Sequence, residues 1–249
     1  MTSPIDFWLP PSGLLLKDDF ASNDAVADAT ISELRWELVT IGNASTPSYL
    51  AQQGLGAYGV LRLTTAATAN GDGGVIRLDE DGLIVRPGTK FGAKIRYPTE
   101  LASGNFRVGL QDSVTATSPT VGVWVDSDAG VLSCQVDSAD HGDEAALVSG
   151  PAGVKAGLTS GTTMAIDSFY EFRVECSSEQ NAQGGPKSVA FYGGLVGANG
   201  RPVMVHLATV PCNIDDDEEV EFSLAHWQDS GGADAVALDV DFVWLWIPR

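Results

Sequence analysis

Twelve residues near the end of the chain, Val236-Ala-Leu-Asp-Val-Asp-Phe-Val-Trp-Leu-Trp-Ile247, constrain its fold more than any other stretch. Successive side chains of a strand point to opposite faces, so Val236, Leu238, Val240, Phe242, Trp244 and Trp246 make one continuous apolar face. The opposite face changes halfway, from Ala237, Asp239 and Asp241 to Val243, Leu245 and Ile247. A strand of this kind starts half-exposed and ends buried on both sides, which places it inside a packed sheet. A run of this length also fits a buried helix, but alternation through the Asp-containing half and the β-branched and aromatic content favour a strand. The apolar second half calls for a cover: a loop or the amino-terminal arm of the same chain, or the arm of a neighbour.

The same period recurs upstream. Lys90, Lys94 and Arg96 alternate with Phe91, Ala93, Ile95 and Tyr97, and Phe169, Glu171, Arg173 and Glu175 alternate with Tyr170, Phe172, Val174 and Cys176. Residues 105–112, 120–126, 131–137, 188–193, 203–208 and 220–227 add strands between Gly-, Asn- and Asp-containing turns. Residues 59–65 and 74–78 flank Asn-Gly and Asp-Gly pairs and read as a hairpin. Ala25–Leu38 has irregular apolar spacing and admits a helix. A Gly-, Ala- and Ser-rich region from Ser138 to Gly161 interrupts the strand pattern as a long surface excursion of the kind that often carries binding. Twelve to fourteen strands in total fit two packed sheets.

With 28 Gly, 12 Pro and 44% hydrophobic residues, a chain of 249 residues supports a real core of short strands joined by turns. A net charge of −19 with only 14 Lys and Arg argues against nucleic acid and anionic membranes as partners. It keeps the surface soluble. Three distant cysteines, Cys134, Cys176 and Cys212, read as reduced core residues. The amino terminus lacks the basic and apolar regions of a secretory signal, and no window approaches the length of a membrane span.

Residues 1–13 carry Ile5, Phe7, Trp8 and Leu9 between prolines and read as an extended apolar arm before a single sandwich domain over 14–249. The arm either folds back onto that domain or docks on another subunit. The stripe of Lys90, Lys94 and Arg96 is a rare basic patch on an acidic chain. It either neutralises neighbouring carboxylates on a solvated sheet face or docks an acidic partner. The five acids Asp215–Glu219 read as a solvated turn with weak calcium binding as the alternative, and Asp79-Glu-Asp-Gly82 reads likewise. His141, His206 and His226 are scattered structural histidines. His226 and Trp227, beside Gln228 and Asp229, form a candidate sugar platform, with Tyr97, Trp124 and Tyr192 as further aromatics. No metal site, cofactor motif, serine elbow or zinc-binding helix is present in the sequence.

The order Asp18-Asp-Phe with a downstream Trp, Leu61-Arg-Leu-Thr-Thr65, Phe91-Gly-Ala-Lys-Ile-Arg-Tyr97, Phe106-Arg-Val-Gly-Leu-Gln-Asp112, Asp167-Ser-Phe-Tyr-Glu-Phe-Arg-Val174, Val189-Ala-Phe-Tyr-Gly193 and Leu238-Asp-Val-Asp-Phe-Val-Trp244 resembles the laminin-G and concanavalin-like jelly rolls. Within them it looks most like structural proteins of tailed bacteriophages. The resemblance spans roughly Asp18 to Ile247. It implies an all-β, two-sheet antiparallel jelly-roll sandwich and a non-enzymatic virion protein that decorates or cements a capsid. Its partners would be the major capsid protein or other virion subunits, with a homo-oligomer expected and a trimer favoured. Such a protein is made in the host cytoplasm. A carbohydrate- or receptor-binding module of a tail fibre or adhesin is the alternative, with a glycan as ligand. A divergent glycoside hydrolase is the third reading, although the Glu-x-Asp-x-x-Glu strand of such enzymes is absent.

Overall fold

The computed structural model describes residues 13–20, 30–31, 36–41, 46–50, 59–66, 72–78, 82–99, 103–112, 119–128, 131–138, 142–147, 164–228 and 235–248. They contain seventeen strands and no helix. In chain order these are β1 (Gly13–Asp18), β2 (Thr30–Ile31), β3 (Trp36–Ile41), β4 (Thr46–Leu50), β5 (Val60–Thr64), β6 (Gly73–Arg77), β7 (Leu83–Ile84), β8 (Lys90–Arg96) and β9 (Gly104–Gln111). There follow β10 (Gly122–Asp128), β11 (Val131–Ser138), β12 (Gly142–Leu147), β13 (Tyr170–Cys176), β14 (Ser188–Leu195), β15 (Val205–Pro211), β16 (Glu219–Gln228) and β17 (Ala237–Pro248). One sheet runs β15-β14-β13-β8-β17-β5-β4, with β1 also paired to β17. The other runs β12-β11-β10-β9-β16-β6-β3-β2, with β7 on β16. The two sheets pack face to face as an antiparallel sandwich, as the alternating strands require.

Alternation sets the core. From β13, Tyr170, Phe172, Val174 and Cys176 face the second sheet, while Glu171, Arg173 and Glu175 face away. Aromatic rings cross the interior: Phe20 to Trp36 at 6.3 Å, Trp36 to Phe222 at 5.8 Å, Phe222 to Phe91 at 5.8 Å, and Phe106 to Phe172 at 5.6 Å. Asp18, Phe20 and Trp36 have a structural task here. Buried Asp18 accepts hydrogen bonds from Phe20 N at 2.8 Å and Trp36 Nε1 at 2.9 Å, tying the start of one sheet to an outer strand of the other. Phe20 adopts φ 49°, a left-handed conformation unusual for a bulky residue, and that bond holds it there.

Several expectations change. The terminal strand is central, but a bulge between Val240 and Phe242 shifts its register against β8. Val236, Leu238 and Val240 face the core before the bulge, and Val243, Leu245 and Ile247 after it, so no separate lid is needed over those three. Phe242, Trp244 and Trp246 therefore turn to the outer face, together with Asp239 and Asp241. The expected wet aspartates are buried, at 0% and 2% exposure. Residues 59–65 and 74–78 form strands as expected but not a hairpin: β5 pairs with β17 and β4, and β6 with β16 and β3. β5 lies in the first sheet and β6 in the second, and each pairs there with strands distant in sequence, β17 and β16. The segment 25–38 contains β2 and the start of β3 rather than a helix, with Trp36 delivered to the core. The excursion at 138–161 contains β12, which extends the β9-β10-β11 meander. The arm residues Ile5, Phe7, Trp8 and Leu9, the acids 79–81 and His141 lie outside the described residues.

Candidate functional site

The outer face of the first sheet is built in rows by strand pairing. Ala190, Glu175, Lys90, Trp246 and Leu15 stand side by side on β14, β13, β8, β17 and β1. The next row is Tyr192, Arg173, Gly92, Trp244 and Lys17, and the next Gly194, Glu171, Lys94 and Phe242. Directly opposite residues lie about 4.5–5.5 Å apart, so each row is a contiguous surface. Gly92 is required: a Cβ there would collide with the Phe172 carbonyl and the Trp244 indole. Gly13 likewise leaves room for the Trp246 ring.

Ion pairs knit this face together. Arg62 Nε and Nη2 donate to the two Asp239 oxygens at 2.6 and 2.9 Å, and Arg96 Nη2 donates to Asp239 Oδ2 at 2.6 Å. Lys94 meets Asp241 at 2.5 Å. Glu175 pairs with Lys90 at 3.7 Å and with Arg173. Lys94 and Arg96 also lie 5.0 and 4.6 Å from the centre of the Phe169 ring, and Lys17 5.7 Å from that of Phe242. The basic stripe thus neutralises carboxylates, as one of its two readings held, but Lys94 is only 4% exposed and its pair is not a solvated one. Burial pushes the Glu171 carboxyl up to about 7 despite Lys94 and Arg173 nearby. Burial also raises Asp241 against the opposing effect of Lys94.

At the first row this face opens into a cleft of about 560 Å³, within the usual size of small-ligand sites. Lys90, Glu175, Ser177, Ser188 and Trp246 line it, with Pro87 and Pro248 at its edge. Trp246 is itself 3% exposed and closes the floor of the cleft, so the cationic, anionic and hydroxyl groups above it can hydrogen-bond a polyhydroxylated ring while Pro87, Ala190 and Pro248 supply apolar contact.

The platform predicted at His226 and Trp227 does not form. Neighbours on β16 point to opposite sides, and His226 is fully buried on the core side. Its Nδ1 lies 2.8 Å from Asn105 O and its Nε2 3.1 Å from Val236 O, and the neutral ring donates to one of them. Burial lowers its pKa, so it is a structural histidine. Trp227 faces outward on the second sheet, where it and Trp124 flank Arg107 at 5.1 and 5.5 Å. Asp126 is 3.9 Å from the same guanidinium. Trp227 is 8% exposed and Trp124 2%, so this stack is a closed structural feature. Tyr97 is a core residue, and Tyr192 stacks edge-on against exposed His206 at 5.5 Å. Asp215–Glu218 form the turn before β16, with Asp215 N donating to Glu218 at 2.8 Å, and Glu219 opens the strand. No group of metal-ligating side chains occurs among the described residues. Sequence reasoning found the Lys90 stripe and the alternation of Glu175. It missed their convergence with Trp246 and Ser188.

Comparison with solved structures now bears on this geometry. The chain is similar to a protein of unknown function from Shewanella oneidensis MR-1, with TM-score 0.60 and 12% identity over 99% of this chain and 94% of that one. It is also similar to the β-glucanase of Bacillus licheniformis, with TM-score 0.52 and 9% identity over 94% and 98% of the two chains. Peanut lectin aligns at TM-score 0.50 and 12% identity over 95% and 98%. The fold is a concanavalin-like jelly roll. At such identities the likeness concerns fold alone. No protein-family model and no curated protein matches the sequence.

Proposed function

We propose that this jelly roll is a non-catalytic carbohydrate-binding module whose ligand lies in the cleft lined by Lys90, Glu175, Ser177 and Ser188. The observation that carries the reading is the cleft itself, in which Lys90, Glu175, Ser177 and Ser188 stand beside the part-exposed Pro87, Ala190 and Pro248 on the outer face of the sheet. The lectin and β-glucanase folds among its structural neighbours support it as analogy. The state of the carboxylates supports binding rather than hydrolysis. A hydrolase of the usual kind needs two flanking the scissile bond, one of them free to act as nucleophile or base. Here Asp239, Asp241 and Glu175 each pair with a cation, which leaves Glu171 alone among the strand-borne acids of this face without a close salt bridge. A glycan array probed with the intact chain, with and without calcium, tests the proposal. Reproducible signal that Ser188→Tyr, which fills the cleft, removes while the melting curve is kept is the expected result. Absence of any signal overturns it.

The capsid-decoration reading takes second place. It rests on Leu14 and Leu15, 46% and 37% exposed where the apolar arm joins β1, a surface suited to contact with another subunit. Deletion of residues 2–12 should then abolish particle binding or change the oligomeric state. Unchanged behaviour in both removes this reading.

A further inference from the structure

The cleft lies on the part of the molecule where positive charge is concentrated. Lys17, Arg62, Lys90, Lys94, Arg96 and Arg173 all stand on the outer face of the first sheet, six of the chain's 14 cations. The same strands bring only four of its 33 carboxylates there, Glu171, Glu175, Asp239 and Asp241. The rest of the chain holds eight cations against 29 acids. Asp19 and Asp167 at the rim bring the face back to neutrality, but both belong to its far half: Asp167 pairs with Arg96 and Asp19 lies near Asp241. In the two rows at the cleft, Lys17, Lys90 and Arg173 stand with a single strand-borne carboxylate, Glu175. Carboxylates elsewhere on the surface are screened beyond roughly 8 Å at physiological salt, so the local balance governs a bound ligand.

Building on the carbohydrate reading above, we infer that the cleft selects an acidic saccharide, one whose ring carries a carboxylate or sulfate. Lys90 lines the cleft and provides a charge-assisted donor to that group. Its bond to Glu175 is loose, at 3.7 Å, whereas Lys94 meets Asp241 at 2.5 Å. Lys90 can therefore turn toward a ligand while Arg173 keeps Glu175 neutralised. The hydroxyls of Ser177 and Ser188 meet the ring hydroxyls, and Pro87, Ala190 and Pro248 offer apolar surface. A neutral sugar offers the ammonium only uncharged hydroxyl oxygens as acceptors. An acidic one gains a hydrogen bond to a charged group, which corresponds to about tenfold or more in affinity.

Calorimetric titration of the intact chain with an oligogalacturonide and with its fully methyl-esterified counterpart separates charge from sugar shape. The acidic ligand should bind at least about tenfold more tightly than the ester, and Lys90→Gln should erase the difference. Arg173→Gln is the second variant, and Arg201→Gln, in the exposed turn beyond the far end of β14, should change nothing. Binding of a sulfated galactan oligomer instead, equally sensitive to Lys90→Gln, also supports the inference and identifies the group. Equal binding of acid and ester, or full affinity in a folded Lys90→Gln chain, overturns it. Binding of neutral glycans alone overturns this inference and leaves the carbohydrate reading intact, whereas an empty glycan array removes both.

Discussion

Asp18 shows how much one side chain carries here. Its carboxylate satisfies two buried donors, Phe20 N and Trp36 Nε1, and ties β1 to the aromatic core. Asp18→Ala leaves both donors without this acceptor, at about 1–3 kcal/mol each, so urea unfolding should show a loss of roughly 2–6 kcal/mol. Trp36→Phe removes one donor and should soften the effect of Asp18→Ala in a double-mutant cycle. Glu171 provides a different signature. Its carboxyl is raised from 4.5 to about 7 in the folded chain, so the folded state holds the proton more tightly. Its contribution to stability is therefore full below about 4.5 and lost as pH rises through about 7. Denaturation measured across that range should show the wild type losing stability relative to Glu171→Gln. The cysteines follow from burial alone. All three are buried, and burial raises Cys134 and Cys176 strongly and Cys212 to about 11, so a thiol reagent should label none of them until the chain unfolds.

At the scale of elements, the bulge in β17 deserves the closest test. Asp241 and Phe242 share the place opposite Lys94, which seats an aspartate against a lysine that is itself almost fully buried. Breaking such a pair from one side costs about 3–5 kcal/mol, because the remaining charge is stranded. Asp241→Ala should accordingly destabilise far more than the double replacement Lys94→Met with Asp241→Ala, as compared by denaturant midpoints. Equal losses in the single and the double variant would show that the pair is not what holds this part of the sheet. Local pattern made β8 and β13 legible, since each keeps one apolar and one charged face without interruption. It could not reveal the bulge, because an extra residue changes facing only relative to a partner strand. It also favoured a hairpin between β5 and β6, where turn chemistry suited one but distant strands offered better partners.

For the whole molecule, the contrast is between an acidic exterior and a sheet face that gathers cations. A formal charge of −19 makes the compact state repel itself, and salt screens that repulsion. The buried pairs of the first sheet respond less to ionic strength. The melting temperature should therefore rise from low to physiological sodium chloride, as followed by circular dichroism. A fall over the same range would mean that attractive pairs outweigh the net repulsion.

Period-two alternation, turn residues and the scarcity of cations were sufficient, from the sequence by itself, for an all-β antiparallel sandwich, a central last strand and a charged stripe at Lys90, Lys94 and Arg96. These follow from the chain's local geometry. It also holds the reason why His226 and Trp227 cannot share a platform, since neighbours on a strand face opposite ways. Tertiary structure alone decided which sheet each strand joined, where β17 bulged, and that Trp246, Lys90, Glu175 and Ser188 meet at one cleft. Those four residues come from β17, β8, β13 and β14, and only long-range strand pairing, which no local pattern encodes, sets their register.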